Sequence, residues 1–399
     1  MVYSGTAWDG LARGDRLISV PLSEHADILW VDPPVSPLTR SGRRAGVSRV
    51  PRPVLRTVDH GIHRLTPTVL PLHTRPLIRL STDPLVRAQT RWALKRAGLG
   101  MPYAVIACGP ADVFRGWPPQ VRRVFFGTDD FVAGARLMGL DPRALARDER
   151  RRVAEADVVA AISEVLAERW RAMGATVTVI PNGVQTSAYR DVPGGERPVT
   201  LPSPVAGVVG HLSERIDMAL LEALADDGFS LLLVGTVSPR WEPERFAALQ
   251  RRPNVRWVGP QPFEAVPSYL RCIDVGITPY RDTEFNRASF PLKTLEYLAA
   301  GLPVVSTDLP AVRWLGTDLI RVAGSPRELV AAARAAVAEA HVPSAVAARR
   351  AFAERHSWAN RAADMARAIG LPTAPAPRSP SAAGRVSHSG GARPGSRVG

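Results

Sequence analysis

The sequence predicts an α/β protein built from two parallel-sheet halves that face each other across a cleft. Three observations predict it. Short apolar runs alternate with helical segments along most of the 399 residues. Most of these runs are continuous rather than alternating, which suits parallel strands buried on both faces. A Pro- and Gly-rich stretch without apolar periodicity, RDVPGGERPVTLPSP at 190–204, splits the alternation into parts of similar size.

The first half has strand-like runs at 28–31, 103–107, 121–126, 158–162 and 177–180. The second has them at 205–209, 230–234, 255–258, 275–277 and 303–306, with helices expected at 217–225, 265–272 and 292–300. Repeated strand–helix alternation packs as parallel sheets covered by helices. The expected organisation is a first Rossmann-like domain over 1–189, a linker over 190–204 and a second domain over 205–370. The last helix is free to pack back on the first domain. Residues 371–399 are poor in apolar side chains and rich in Pro, Ser, Gly and Arg, so a disordered basic tail is expected. Residues 36–57 hold six arginines and read as a basic loop. Ligands of such sheets bind beyond the carboxyl ends of the strands, which makes the cleft the expected site.

Composition narrows the function classes. No apolar run reaches the roughly 18 residues of a membrane span. The opening MVYSGTAWDGLARGDR lacks the apolar core of a signal peptide. A cytoplasmic protein is expected, with Cys108 and Cys272 as reduced core residues. The net charge is +14, and Lys95 and Lys293 are the only lysines. The charge reads as a solvated basic surface, as contact with anionic lipid at the inner face of the membrane, or as an anionic-acceptor surface. Nucleic acid is not expected, because no aromatic-and-basic stacking motif accompanies the charge.

The strongest chemical signal is NRASFPLKTLEYLAAGLPVVSTDLP at 286–310, a loop, helix, Gly stop and strand. Pro291 suits the first helical turn, Ser289 is expected to cap it, and Gly301 to end the helix. The free amides and dipole of such a helix start seat a phosphate. Lys293 adds a mobile cation for a diphosphate, and Glu296, three residues on, suits ribose hydroxyls. The bland alternative is a surface i,i+3 ion pair. In the first half, RRVFFGTDDFVAGARL at 122–137 puts Asp129 and Asp130 at a strand end. Asp130 suits a helix N-cap, which leaves Asp129 to act as a general base. Two cap residues, or a metal-binding Asp pair, are the alternatives, and no metal site is expected.

PLKTLEYLAAGLPVVST resembles the block of GT-B glycosyltransferases near family 4, in the branch of xanthan-type glucuronosyltransferases and teichuronic-acid biosynthesis enzymes. NVRWVGPQPFEAVPSYLRCIDVGITPYR at 254–281, IPNGV at 180–184 and GVVGHLSERIDMALLEAL at 207–224 extend the resemblance over most of 100–370. It implies a GT-B fold and a glycosyltransferase that uses a nucleotide-sugar as substrate without a cofactor, linked to UDP, GDP or dTDP. The acceptor it implies is a sugar or a lipid-linked glycan, in cell-surface polysaccharide or glycoconjugate biosynthesis. Phe263 would border the base, Lys293 and nearby amides including Gly210 would hold the diphosphate, and Glu296 the ribose. The sequence departs from family 4 at Ala288, where the first acid of E-x7-E is expected. It also has His211 and Ile216 in place of the Gly-loop Arg and Lys, with Arg215 as a displaced charge, and Gln185 closing NGVQ. Trp8, Asp9 and Gly10 match a W-D-G element of the branch, in a loop that borders acceptor or phosphates there. A GT-B nucleotide-sugar epimerase and a weakly active nucleotide-sugar- or nucleic-acid-binding protein are the competing classes.

Overall fold

The structure is a computed structural model and describes residues 1–10, 13–36, 52–71, 76–109, 111–190 and 197–371. Most of the expected basic loop, part of the expected linker and the tail from 372 lie outside the described residues.

The first sheet contains β1 (Val2–Tyr3), β2 (Ile28–Val31), β3 (Val54–Asp59), β4 (Ile62–Thr66), β5 (Ala104–Ala107), β6 (Arg122–Gly127), β7 (Val158–Ala161) and β8 (Val177–Val179), in the order β3-β4-β2-β1-β5-β6-β7-β8. All pairings are parallel except β3 with β4. The second sheet contains β9 (Val205–Val209), β10 (Ser230–Val234), β11 (Val255–Trp257), β12 (Val275–Thr278), β13 (Val304–Thr307) and β14 (Ile320–Ala323), ordered β11-β10-β9-β12-β13-β14 and wholly parallel. Central strands such as β2, β5, β9, β10 and β12 are buried along their whole length, as helices on both faces require.

The β3–β4 hairpin was not expected. The sequence places residues 54–57 at the end of a basic loop. β3 is an edge strand with Arg56 and Thr57 exposed, so its apolar signal is thin. The helix expected to start near Phe131 begins only at Ala135, after a turn over 131–134.

The halves are joined beyond the linker. Ser163 Oγ donates to the Ala288 carbonyl at 2.5 Å, and Asn182 Nδ2 donates to the Phe290 carbonyl at 3.0 Å. Gly134 lies so close to Phe285 that a Cβ there would sit 2.7 Å from the ring. The last helix, Trp358–Ile369, leaves the second sheet and packs on Gly14–Leu22 of the first half. Its start is fixed by two backbone bonds, Val184 N to His356 O at 3.0 Å and Trp358 N to Val184 O at 3.2 Å.

Candidate active site

Two strand ends in the second half build one wall of the site. The chain turns at Gly210 after β9 and at Gly235 after β10, with φ of 133° and 140°. A Cβ on Gly235 would fall 1.7 Å from the Gly210 carbonyl oxygen, so only glycine lets these turns touch. A Cβ on Gly210 would come within 3.4 Å of Lys293 Cε. The Gly210 turn and the Lys293 side chain therefore share one small space.

Lys293 stands in the first turn of the helix Leu292–Ala300, which ends at Gly301 in the left-handed region, as expected. Lys293 Nζ pairs with Glu296 Oε2 at 2.6 Å. The two side chains are only 24% and 12% exposed, so this is not the solvated surface pair of the bland reading. Tyr189, at the end of the first half, is buried beside Glu296. Burial, then the Glu296 charge, pushes its phenol far above the ordinary range. Phe263, 42% exposed, meets the Tyr189 ring edge-on at 6.4 Å between centroids.

Ser289 does not cap this helix. Pro291 occupies the N-cap position, and no side chain bonds the first turn there. A separate short helix, Glu284–Ala288, intervenes, and Ser289 follows its last residue. The Ser289 hydroxyl donates to the Phe285 carbonyl at 2.8 Å and points toward Asp129 Oδ1 at 3.4 Å. Asp129, at the carboxyl end of β6, thus meets the second half across the cleft.

The two acids of the first half have different surroundings. Asp130 is 1% exposed. It accepts from Ala133 N at 2.9 Å and takes a two-pronged contact from Arg169 at 2.6 and 3.1 Å. Arg169 is shared with the buried Glu149 at 2.8 Å. Asp130 therefore caps the turn over 131–134 and not a helix, whose N-cap position is Gly134, and it is also one end of a buried ion-pair network. Asp129 is only partly buried and, among the described residues, has no ion pair of this kind. Burial pushes its carboxyl above the ordinary value, against the opposing pull of Arg215 and Arg13.

Arg215 is anchored by its Nε to Asn286 Oδ1 at 2.7 Å, and its guanidinium lies over the rings of Tyr280 and Phe285. Asn286 also donates from Nδ2 to the Arg215 and Arg281 carbonyls, holding the Gly210–Arg215 turn against the Glu284–Ala288 helix. His211 is exposed, with Nδ1 2.8 Å from Thr236 Oγ1. Ala288 is buried, with its carbonyl committed to Ser163.

The Trp8-Asp9-Gly10 element is a support. Trp8 is buried edge-on against Trp30 at 5.2 Å, and its amide donates to Asp32. Asp32 also accepts from Trp30, Arg64 and Thr66, and Asp9 pairs with Arg64 at 2.5 Å. Beside this hub, at the ends of β1, β2 and β5, lies a cavity of about 430 Å³ lined by Ser4, Asp32, Val86, Arg87, Asp112 and Asp148 among others. Among the described residues no group of His, Cys, Asp and Glu is arranged to hold a metal.

Asn286, Tyr189 and this cavity escaped the sequence reading. Asn286 sits inside the conspicuous 286–310 block, but its buried bonds run to residues 71 and five positions away. Nothing local distinguishes Tyr189.

The chain matches the family Glycosyl transferases group 1 over residues 204–339. The matched segment is about a third of the chain and lies in the second half. That segment contains Gly210, His211, Arg215, Phe263, Ser289, Lys293 and Glu296. A segment of 109 residues is 40% identical to TuaH of Bacillus subtilis, a protein assigned as a teichuronic acid biosynthesis glycosyltransferase. That match spans 27% of each chain, so about a quarter of the curated relative is covered. Whole-chain likeness extends to solved structures. Sucrose-phosphate synthase of Thermosynechococcus elongatus aligns with a TM-score of 0.65 at 16% identity, over 92% of this chain and 96% of that one. HepE of Anabaena in complex with UDP and glucose aligns at 0.60 and 15%, over 92% and 98%. The architecture is therefore GT-B, with two Rossmann-like sheets and a cleft between them.

Proposed function

We propose that the protein transfers a sugar from a nucleotide diphosphate to an acceptor hydroxyl. The reading rests on one juxtaposition: a Gly210–Lys293–Glu296 cluster at a helix start, with Asp129 facing it from the other half. In this reading Lys293 and the turn amides neutralise the diphosphate. Glu296, released from Lys293 when the phosphate competes for it, accepts from ribose hydroxyls. Phe263 borders the base. As the acceptor oxygen attacks the anomeric carbon, its proton passes to the Asp129 carboxylate and the bond to the phosphate oxygen breaks. Displacement of this kind inverts the anomeric centre. The solved GT-B relative bound to UDP supports a UDP-linked donor, and the likeness to TuaH supports a role in cell-surface polysaccharide synthesis. An epimerase is less well supported, because among the described residues Asp129 is the cleft acid without an ion pair, and His211 lies 2.8 Å from Thr236 Oγ1.

Calorimetry with UDP tests the donor half. Lys293→Ala is expected to weaken binding by about 1.5–3 kcal/mol, the scale of a charge-assisted contact. Unchanged affinity would remove the diphosphate from this site. Glu296→Gln is expected to weaken UDP more than pyrophosphate. NMR of the product tests the chemistry, with an inverted anomer expected. Retention of configuration would rule out Asp129 as a base for direct displacement.

A further inference from the structure

The helix Pro76–Arg96 buries Ala93 and Leu94 in the core of the first half. Its inward side also carries polar groups. Gln89 bonds the Thr68 amide and carbonyl at 2.8 and 2.7 Å, and Thr90 accepts from the buried Tyr3 hydroxyl at 3.1 Å. Its outward side carries Leu85, Ala88 and Trp92, followed by Lys95 and Arg96, at the 3–4 residue spacing of one helical face. Trp92 is 44% exposed and Leu85 37%. The loop that follows adds Met101, 67% exposed, and Tyr103. A tryptophan and a methionine left in water forgo apolar burial unless something covers them.

Charge identifies what covers them. No acidic residue occurs between Asp83 and Asp112, while Arg87, Arg91, Lys95 and Arg96 fall within that stretch. Several exposed arginines elsewhere pair with carboxylates, as Arg123 does with Asp157, Arg245 with Glu222 and Arg313 with Asp308. Among the described residues Lys95 and Arg96 have no such partner. Lys95 is one of only two lysines in the chain, and the other stands in the candidate donor site. The described chain also ends here. The Tyr103 hydroxyl donates to the Gly370 carbonyl, and residues 372–399 carry four further arginines and no acid. Apolar anchors ringed by unpaired cations fit a layer that is apolar inside and anionic at its surface.

We propose that the outer face of helix Pro76–Arg96, with Met101 and Tyr103, docks on an anionic lipid bilayer. Trp92 and Met101 enter the headgroup region, and Lys95 and Arg96 lie against lipid phosphates with their stems along the apolar boundary. The same helix lines the cavity at the ends of β1, β2 and β5 through Thr82, Val86 and Arg87. A bilayer held on its outer side is therefore one helix away from that cavity.

Co-sedimentation of the full chain with phosphatidylcholine vesicles, with and without phosphatidylglycerol, tests this. Binding is expected only with phosphatidylglycerol and is expected to fall with added salt. At about 1 kcal/mol for each cation near the surface, Lys95→Glu with Arg96→Glu should weaken binding by about 25-fold or more. Trp92→Ser should weaken it by roughly tenfold. Arg251→Glu with Arg256→Glu, at exposed positions in the second half, makes the same change in net charge and should weaken binding far less. Thermal unfolding and UDP binding report whether each variant is folded. Equal losses in the two charge-reversal pairs, or equal binding to neutral vesicles, would overturn the proposal. So would unchanged vesicle binding in the Lys95/Arg96 variant. Loss of oligonucleotide binding alone in that variant would assign the face to nucleic acid and overturn the proposal as well.

Discussion

Asp129→Asn is expected to lower turnover by roughly 10²–10⁴-fold, the usual contribution of a positioned general base. UDP affinity should hardly change, because the donor contacts come from the other half. The fold should not suffer either. Burial raises the Asp129 carboxyl, so its ionised form costs the native state stability. That cost grows as pH rises from the unfolded-state value, about 3.9, through the raised native value. Asparagine removes it, and the variant should melt at or slightly above the parent temperature at neutral pH. Loss of rate with gain of stability is the signature of a group kept for chemistry. The pH profile supplies a second check. A base must be ionised to act, so kcat/KM should fall on the acid side at a pH above the ordinary aspartate range. Near-normal turnover of Asp129→Asn with saturating acceptor would reject the assignment.

Asp130→Asn should behave in the opposite way. As a turn cap alone it would be worth about 1 kcal/mol. The structure adds its buried contacts with Arg169, and removing one partner of such a pair strands the other charge. The expected loss is about 3 kcal/mol, at the low end for a buried pair because Arg169 keeps Glu149. That corresponds to a fall in melting temperature of roughly 6–12 °C for a folding unit of this size. The surviving folded fraction should turn over at close to the parent rate. A variant of normal stability and no activity would instead make Asp130 the base.

These neighbouring acids show how far sequence reading reached. Their position at a strand end, and the capping role of Asp130, follow from local pattern alone. The Arg169–Glu149 network could not be read, since its members are brought together by β6, the helix Pro142–Glu155 and the helix Glu164–Arg171. The Lys293 block was legible because a helix start, a Gly stop and a buried strand are all local signals. Within the same block Ser289 was misread, because the Glu284–Ala288 turn has only five residues and no amphipathic period to declare itself. Most buried strands stood out as apolar runs. β1, with two residues, β3, with one side in water, and β4 and β14, whose runs are broken by Arg64 and Arg321, did not. Tyr189 became visible only when the end of the first half was seated on the Leu292–Ala300 helix.

The return of the helix Trp358–Ile369 to the first half has a consequence for synthesis. Trp358, Ala362, Met365 and Ile369 are buried, and Ile18 and Leu22 lie in the same core cluster. Some 180 residues separate the end of β8 from this helix. At about 5–20 residues per second a ribosome needs roughly 10–40 s to produce them. For that interval the first half stands assembled in its strands but uncovered along Gly14–Leu22. A nascent chain stalled before residue 358 would present this seam to chaperones. The second half made alone would carry the seam's other side with nothing to close it.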